Sequence, residues 1–307
     1  MYISLTGVFT LSDLPNQLAK AYDTLAIELP KCGSDGIDGR TEELGDGTLR
    51  TTYAQKSMKA TPHFLQRICD SSVIESVNYI RTQLEGIGNE VAKTIDKVIT
   101  FNTPTTTIID YDGMDVNSVV DIIKAGYDNH LDHIHVYTKT DNNINDNKVD
   151  WKDDNSVEGI HYNTTLTLHI DQGVFLLLIL PPGDSNFYYE DGITNEQVPL
   201  NIPSLDHNYD GLRVVVLMGN TLKSFIGTTP SIRPLPHAVH MDISSTTPTR
   251  LVFGRMFLLP PSFKSPIPSL NSITFQQWTQ AAMIPNNDDT DEIAFSKRRL
   301  GKQQQQQ

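Results

Sequence analysis

The order of hydrophobic and polar residues divides the 307-residue chain into a helical first part and a β-rich second part. Behind an N-cap at Ser12, apolar residues recur every three or four positions and predict a helix. These residues are Leu14, Leu18, Tyr22 and Leu25. Thr61-Pro62 opens a second helical stretch that continues over residues 87–99, and Asp115 is the expected cap of a third. Residues 33–49, rich in Gly and Asp, are predicted to form a loop.

From residue 131 the pattern changes to short apolar or alternating segments separated by Gly, Pro, Asn and Asp. They read LDHIHVYT, NTTLTLHI, GVFLLLIL, NFYYE, GLRVVVLM, TLKSFI and RLVFGRMFLL, and a last helix is predicted around SITFQQWTQAAM. Many short strands punctuated by turn residues are typical of a sandwich, a jelly roll or a barrel. We therefore predict a mainly β fold with helices.

Charge and hydropathy exclude some classes of partner. The chain carries 24 Lys and Arg against 37 Asp and Glu, a net charge of −13. Such a surface repels phosphate groups, so neither nucleic acid nor an anionic membrane is an expected partner. The most apolar run, residues 174–180, is too short to cross a bilayer.

The two cysteines and the N-terminus predict a cytoplasmic protein. Cys32 and Cys69 show neither metal-type spacing nor a disulfide framework, which predicts reduced thiols. No basic region precedes the first apolar residues, so a signal peptide is not expected.

His169 and Asp171 are the leading candidates for chemistry because they lie two residues apart in an apolar segment. In a strand such residues share a face, and a buried carboxylate is costly unless it is paired or binds a metal. Two imidazoles and one carboxylate form the ligand set of non-haem Fe(II) sites. The segment SIRPLPHAVHMD offers a second imidazole from either His237 or His240. A structural ion pair is the alternative.

Over residues 131–262 the chain resembles the isopenicillin N synthase-like branch of the Fe(II)/2-oxoglutarate-dependent dioxygenases. The segments that carry the resemblance occur in the family's order: HIHVYTK, HIDQGVFLLL, GLRVVVLMGNTLKSFIGTTPSIRPLPHAV and TRLVFGRMFLLPPS. The resemblance implies a double-stranded β-helix (jelly-roll) barrel that forms an Fe(II)-binding dioxygenase domain over residues 131–283. A mostly helical lobe over residues 1–130 would precede it, and a disordered polar tail over residues 284–307 would follow.

By resemblance, His169, Asp171 and His237 are the iron ligands. Arg250 matches the arginine that binds the far carboxylate of 2-oxoglutarate, a role that suits its planar guanidinium. Tyr137 matches a tyrosine that donates its hydroxyl to the same cosubstrate. His240 remains an alternative third ligand, although the HAV segment aligns His237 with the family's histidine.

Several positions depart from the family pattern or offer alternatives. Val252 stands where the family's Arg-x-Ser motif has its serine, and His135 stands where the family has an asparagine. His133 and His135 share a strand face and are possible cavity residues. Arg255 faces away from Arg250 on the same strand and is an alternative carboxylate binder, or else a structural ion-pair partner.

The resemblance implies an enzyme that oxidises, by hydroxylation, a small organic substrate with Fe(II), 2-oxoglutarate and O₂. Two other hypotheses compete with this one. The first is an iron-dependent oxidase that uses no 2-oxoglutarate, which Val252 favours because the carboxylate pocket loses a hydroxyl. The second is a jelly-roll protein that binds a ligand or partner without catalysis.

Overall fold

The structure is a computed structural model. It describes residues 2–3, 8–11, 16–32, 39–44, 46–56, 69–101, 109–111, 114–138, 165–180, 186–192, 194–200, 212–229, 232–240, 249–270 and 273–282. The predicted helix starts at Ser12 and Thr61, and the predicted polar tail, lie outside these ranges.

The described residues form mainly strands, with a few helices. The strands are β1 (Tyr2–Ile3), β2 (Val8–Leu11), β3 (Gly39–Glu43), β4 (Leu49–Lys56), β5 (Thr100–Phe101), β6 (Ile109–Tyr111), β7 (Met114–Val116), β8 (Leu131–Thr138), β9 (Leu166–His169), β10 (Phe175–Leu180), β11 (Phe187–Glu190), β12 (Gln197–Pro199), β13 (Arg213–Met218), β14 (Thr228–Thr229), β15 (His237–Val239) and β16 (Thr249–Phe257). The helices are α1 (Asn16–Cys32), α2 (Ser71–Ile95), α3 (Val119–Ala125) and α4 (Phe275–Ala282).

An eight-stranded antiparallel sheet runs in the order β1-β2-β13-β10-β16-β8-β4-β3. Its central strand β10 reads FLLLIL and is buried along its whole length, as expected for a strand covered on both faces. A smaller sheet has the order β12-β11-β15-β9 and is also antiparallel. The two-stranded pairs β14-β5 and β6-β7 lie apart from both.

Two apolar clusters define the two faces of the eight-stranded sheet. On the outer face, strand residues such as Ile134 and Phe253 pack with the buried sides of α1, α2 and α3. Tyr22 of α1 ties this layer to the sheet by donating its hydroxyl to the Leu251 carbonyl at 2.6 Å. On the inner face, Leu178 and Val252 share a cluster with residues of the smaller sheet. The inner face is therefore the one turned toward the smaller sheet.

The β-rich prediction is confirmed, and three local predictions are wrong. Residues 33–49 are not a loop throughout, because 39–43 form β3 and pair with β4. TLKSFI is a π-helical turn, Thr221–Ile226, that ends at Gly227 with a positive φ of 74°. Its buried Leu222 and Phe225 are three positions apart, a spacing that puts them on one face of a helical turn but on opposite faces of a strand. Helix α3 is capped by Ser118 and not by Asp115, since the Ser118 hydroxyl accepts from the Asp121 amide at 3.0 Å.

The strands on both sides of residue 130 belong to one sheet, because β8 pairs with β4 along its whole length. The division into a lobe over residues 1–130 and a barrel over 131–283 stays a prediction.

The prediction of reduced thiols is wrong, because Cys32 and Cys69 form a disulfide. It joins the last residue of α1 to the segment just before α2, and both cysteines pack against the outer apolar cluster. No local pattern predicts this bond, since 37 positions separate the two residues and only the packing of the helices brings them together. The cytoplasmic location stays a prediction without that support. Among the described helices, none combines the length and apolar character needed to cross a membrane.

Candidate metal centre

His169, Asp171 and His237 converge at one end of the smaller sheet. His169 ends β9, His237 begins β15, and the two are direct cross-strand partners. Antiparallel partners point to the same face, so their rings meet with centroids 4.3 Å apart. Asp171 lies two residues beyond the end of β9. The prediction that it shares a continuous strand with His169 is therefore wrong, and a turn delivers its carboxylate.

One ligand atom from each of these three residues lies within 4.8 Å of the other two. Among them, His237 Nε2 and Asp171 Oδ2 are 3.6 Å apart. His237 is buried, and His169 and Asp171 are half-buried. Two imidazole nitrogens and one carboxylate oxygen at such distances match the donor set of a two-histidine, one-carboxylate metal site.

Backbone carbonyls hold both imidazoles in one orientation. The Nδ1 of His169 lies 2.8 Å from the Thr167 carbonyl, and the Nδ1 of His237 lies 3.1 Å from the Leu235 carbonyl. A carbonyl oxygen only accepts, so each Nδ1 carries a proton and Nε2 is the nitrogen that remains for a metal. This is the tautomer that a ligand through Nε2 requires.

The carboxylate of Asp171 has a buried oxygen whose hydrogen-bonding capacity the described residues leave unused. Its Oδ2 is fully buried and makes no hydrogen bond within the described part of the chain. The Asp171 carbonyl accepts from the Asn220 amide at 2.8 Å, which ties the turn to the end of β13. This close approach requires Gly219, because a Cβ there would lie 2.1 Å from the Gly173 carbonyl oxygen. A buried carboxylate oxygen without a hydrogen-bond partner among the described residues fits a metal ligand.

On the inner face of the eight-stranded sheet, successive cross-strand pairs of β8 and β16 carry the other predicted site residues. Arg250 pairs with Tyr137 across β16 and β8, and the guanidinium carbon lies 5.6 Å from the centre of the Tyr137 ring. The next row pairs Val252 with His135, whose Nδ1 lies 3.0 Å from the Thr52 hydroxyl.

One row further, His133 pairs with Gly254. Its ring centroid is 5.6 Å from that of His135, and its buried Nε2 has no hydrogen-bond partner among the described residues. The predicted cavity residues and the predicted cosubstrate residues thus share one face.

Burial lowers the pKa of His133, His135 and His237, and for His135 the pKa falls well below the usual value. The Asp171 carboxylate opposes this effect at His133 and His237, whereas neighbouring histidines and arginines reinforce it at His135. Imidazoles with lowered pKa values are neutral at pH 7, the form that coordinates metals and hydrogen-bonds to ligands.

Sequence reasoning missed Arg50. This residue lies on β4 directly opposite Tyr137, so it shares the inner face with Arg250. Its Nε donates to Glu42 Oε1 at 2.9 Å. Alternation within LRTTYAQK could have placed Arg50 with Thr52, but only the pairing of β4 with β8 shows that this face belongs to the site.

His240 and Arg255 lie away from the three-residue group. His240 follows β15, with its ring centroid 4.2 Å from that of Tyr188 and its Nε2 3.4 Å from Gln197 Oε1. Arg255 is fully buried on the outer face, where it forms ion pairs with Asp132 and Glu85. The position of Arg255 matches the structural ion-pair role considered for it.

Comparisons with known proteins found similarity in structure but not in sequence. No protein-family model and no curated protein matches the chain. The structure is similar to dioxygenase for auxin oxidation 1 from Arabidopsis thaliana in a binary complex with 2-oxoglutarate, with a TM-score of 0.53 and 12% identity over 83% of this chain and 84% of that one. It is also similar to a full-length Neurospora crassa protein in complex with alpha-KG and thymine, with a TM-score of 0.52 and 12% identity over 86% of this chain and 80% of that one.

A third similar structure is JOX2 in complex with 2OG, Fe and JA, with a TM-score of 0.52 and 10% identity over 89% of this chain and 77% of that one. These likenesses show that the chain shares the fold of these structures.

Proposed function

We propose that the protein is an Fe(II)- and 2-oxoglutarate-dependent oxygenase that oxidises a small organic molecule. The observation that carries this proposal is the convergence of His169, Asp171 and His237. Both imidazoles are oriented through Nδ1, and the Asp171 Oδ2 has no hydrogen-bond partner among the described residues. The fold shared with oxygenases that bind 2-oxoglutarate supports it. Hydroxylation is the reaction that the resemblance implies.

The donor set suits iron. His169 and His237 would bind it through Nε2, and Asp171 would bind it through Oδ2. Three protein ligands on one face leave the remaining coordination positions to cosubstrate and oxygen. When bound, Fe(II) would activate O₂, the oxidant, while 2-oxoglutarate would supply two of the four electrons that O₂ takes up and the substrate C–H bond the other two.

Arg250 and Tyr137 are the proposed holders of the cosubstrate. The Arg250 guanidinium would bind the carboxylate far from the metal bidentately, and the Tyr137 hydroxyl would donate to the same group. Arg250 is 5% exposed and Tyr137 is 2% exposed, so this contact would form away from competing water.

The remaining inner-face residues would shape the cavity. His133 and His135 contribute neutral imidazoles that can hydrogen-bond to a ligand without adding charge. Leu176, Leu178 and Val215 belong to the inner apolar cluster and would exclude water from the reacting atoms. We further propose that the two sheets form the double-stranded β-helix barrel of the family.

A second candidate function is an iron-dependent oxidase that uses no 2-oxoglutarate. Val252 favours it, because this buried residue next to Arg250 offers no hydroxyl to a carboxylate. The location of Arg250 and Tyr137 on the same face as His133 and His135 favours the cosubstrate-dependent reaction.

An anaerobic titration of purified metal-free protein with Fe(II) and then 2-oxoglutarate tests the proposal. We expect a saturable visible charge-transfer band, which His169→Ala abolishes and Arg250→Ala weakens. His240→Ala is the matched control, since it removes a histidine near the same strand but outside the group, and it should leave the band intact. Iron binding without the band would favour the second candidate. Failure to bind iron would overturn both.

A further inference from the structure

Arg50 brings a second guanidinium to the face that carries Arg250. Both residues are direct cross-strand partners of Tyr137, one on each neighbouring strand. Direct partners in antiparallel strands point to the same face, and two strand spacings separate the backbones by about 10 Å. Two long cationic side chains therefore flank one tyrosine beside a largely apolar cluster.

The two arginines differ in how far they lie from solvent. Arg250 is 5% exposed, whereas the Arg50 side chain is 19% exposed and that of its partner Glu42 is 35% exposed. The positive charge of Arg50 lowers the pKa of both His133 and His135, whereas the charge of Arg250 lowers only the pKa of His135. Arg50 is thus the more exposed of the two arginines on this face.

Glu42 orients Arg50 without occupying the whole guanidinium. Nε and one terminal nitrogen of Arg50 both donate to Glu42 Oε1. Within the described residues, the other terminal nitrogen has no hydrogen-bond partner. The plane of the guanidinium is therefore held by a neighbouring strand, and one edge remains for a ligand.

From this arrangement we infer that Arg50 binds a carboxylate of the organic substrate, so that the substrate is a carboxylic acid. The inference rests on the proposed function, which uses Arg250 for the cosubstrate and leaves Arg50 for a second anion. A net charge of −13 repels anions from the surface as a whole. A cation held on the inner face would provide the local attraction that a carboxylate needs.

The test compares carboxylic acids with their amides on the anaerobic Fe(II)–2-oxoglutarate complex. Phenylacetate is paired with phenylacetamide, and indole-3-acetate with indole-3-acetamide, and the shift of the charge-transfer band gives each Kd. For at least one pair, we expect the wild-type complex to bind the acid about tenfold more tightly than the amide, as a charge-assisted hydrogen bond provides. In Arg50→Gln this preference should fall to about twofold or less.

Three further variants isolate the cause. Arg50→Lys keeps the charge but loses the planar fork, so it should retain part of the preference. Glu42→Gln removes the competing carboxylate and should strengthen binding of the acid. Arg233→Gln is the matched control: it breaks the Arg233–Glu190 ion pair of 3.3 Å at the smaller sheet, and it should change nothing.

Each contrary result has a distinct meaning. A wild-type protein that forms no band with 2-oxoglutarate overturns the proposed function. A band that forms but responds equally to acids and amides, or to neither, overturns the inference about Arg50 and leaves the proposed function standing. The inference also fails if Arg50→Gln keeps the preference for acids over amides. It fails as well if Arg50→Gln weakens the binding of 2-oxoglutarate as much as Arg250→Gln does, since Arg50 would then bind the cosubstrate. Should Arg50→Gln not fold, Arg50→Lys and Glu42→Gln decide the question.

Discussion

Val252 occupies the position beside Arg250 on the inner face where the family resemblance expects a serine. The side chain is buried and apolar, so any carboxylate held by Arg250 has one hydrogen-bond donor fewer than in that pattern. Whether the chain uses 2-oxoglutarate therefore depends on how much the remaining donors, Arg250 and Tyr137, contribute.

Val252→Ser restores the missing hydroxyl. We expect the Kd for 2-oxoglutarate to fall about threefold to tenfold, because one added hydrogen bond to a charged group contributes roughly 1 kcal/mol or somewhat more. Titration of the charge-transfer band measures the change. Val214→Ser makes the same substitution at a buried position on the outer face and should leave the Kd unaltered. An unchanged Kd in Val252→Ser would mean that the carboxylate of 2-oxoglutarate lies out of reach of residue 252.

His130 is a buried histidine with a structural role. It is 1% exposed, and its Nδ1 accepts from the Leu258 amide at 3.2 Å. Burial, reinforced by the Arg255 charge, lowers the pKa of His130 from 6.5 to about 3. Below pH 6.5 the unfolded chain therefore binds a proton at this site that the folded chain does not. The free energy of unfolding consequently falls as the pH decreases from 6.5 toward 3.

At pH 5 the contribution of His130 to this loss is about 2 kcal/mol. His130→Asn removes the titrating group and keeps an acceptor for the Leu258 amide. We expect the difference in unfolding free energy between pH 7 and pH 5 to be smaller in this variant by about that amount. Urea denaturation of the metal-free protein at the two pH values measures it. Identical differences in the variant and the wild type would show that His130 is protonated in the folded protein.

At the scale of elements, a buried ion-pair network attaches helix α2 to the eight-stranded sheet. Asp132 of β8 accepts from Arg81 at 2.6 Å and from Arg255 at 2.9 Å, and Arg255 also pairs with Glu85 at 3.0 Å. Burial raises the pKa of Asp132 and of Glu85, although Arg255 opposes this effect at both. Successive residues of β8 thus point to opposite faces, since Asp132 faces helix α2 while His133 lies on the inner face.

Asp132→Ala leaves two buried guanidiniums without their shared carboxylate. We expect the free energy of unfolding to fall by about 3–5 kcal/mol, because removing one partner of a buried ion pair costs far more than removing one partner of an exposed pair. Glu90→Ala on the same helix is the control: its pair with Lys93 is exposed, so the expected loss is about 0.5 kcal/mol or less. Equal losses in the two variants, measured in urea at pH 7, would argue that solvent reaches the network.

The elements also show what a sequence pattern can predict. β8 covers the whole of LDHIHVYT, β10 lies within its predicted segment, and β16 begins one residue before its predicted segment. These strands were predictable because their runs of apolar and β-branched residues are buried against both clusters. β3 and β4 read GRTEE and LRTTYAQK, which carry few apolar residues. Their strand conformation depends on the pairing of β4 with β8 and of β3 with β4, and local composition does not indicate such pairings.

At the scale of the whole molecule, the Cys32–Cys69 disulfide closes a loop between residues 37 positions apart. A cross-link of this span restricts the unfolded chain and is expected to stabilise the fold by about 3–4 kcal/mol. The bond lies with the helices on the outer face, away from the candidate metal centre.

Replacing both cysteines by serine should lower the free energy of unfolding by about that amount and leave Fe(II) binding unchanged. Urea denaturation and the anaerobic titration measure the two quantities. Adding a reducing agent to the wild type should reproduce the loss, and adding it to the double variant should have no effect. If reduction leaves the wild type as stable as before, the thiols are not paired in solution.

Local patterns and motifs in a fixed order along the chain are enough to predict the mainly β character, the candidate ligands and the candidate cosubstrate residues. Packing decides the rest: Asp171 reaches the group from a turn, His240 and Arg255 lie outside it, Arg50 lies on the face that continues it, and Cys32 meets Cys69. Each of these depends on which strands and helices become neighbours. That choice follows from burial and hydrogen bonding summed over the whole chain, so no single stretch of sequence contains it.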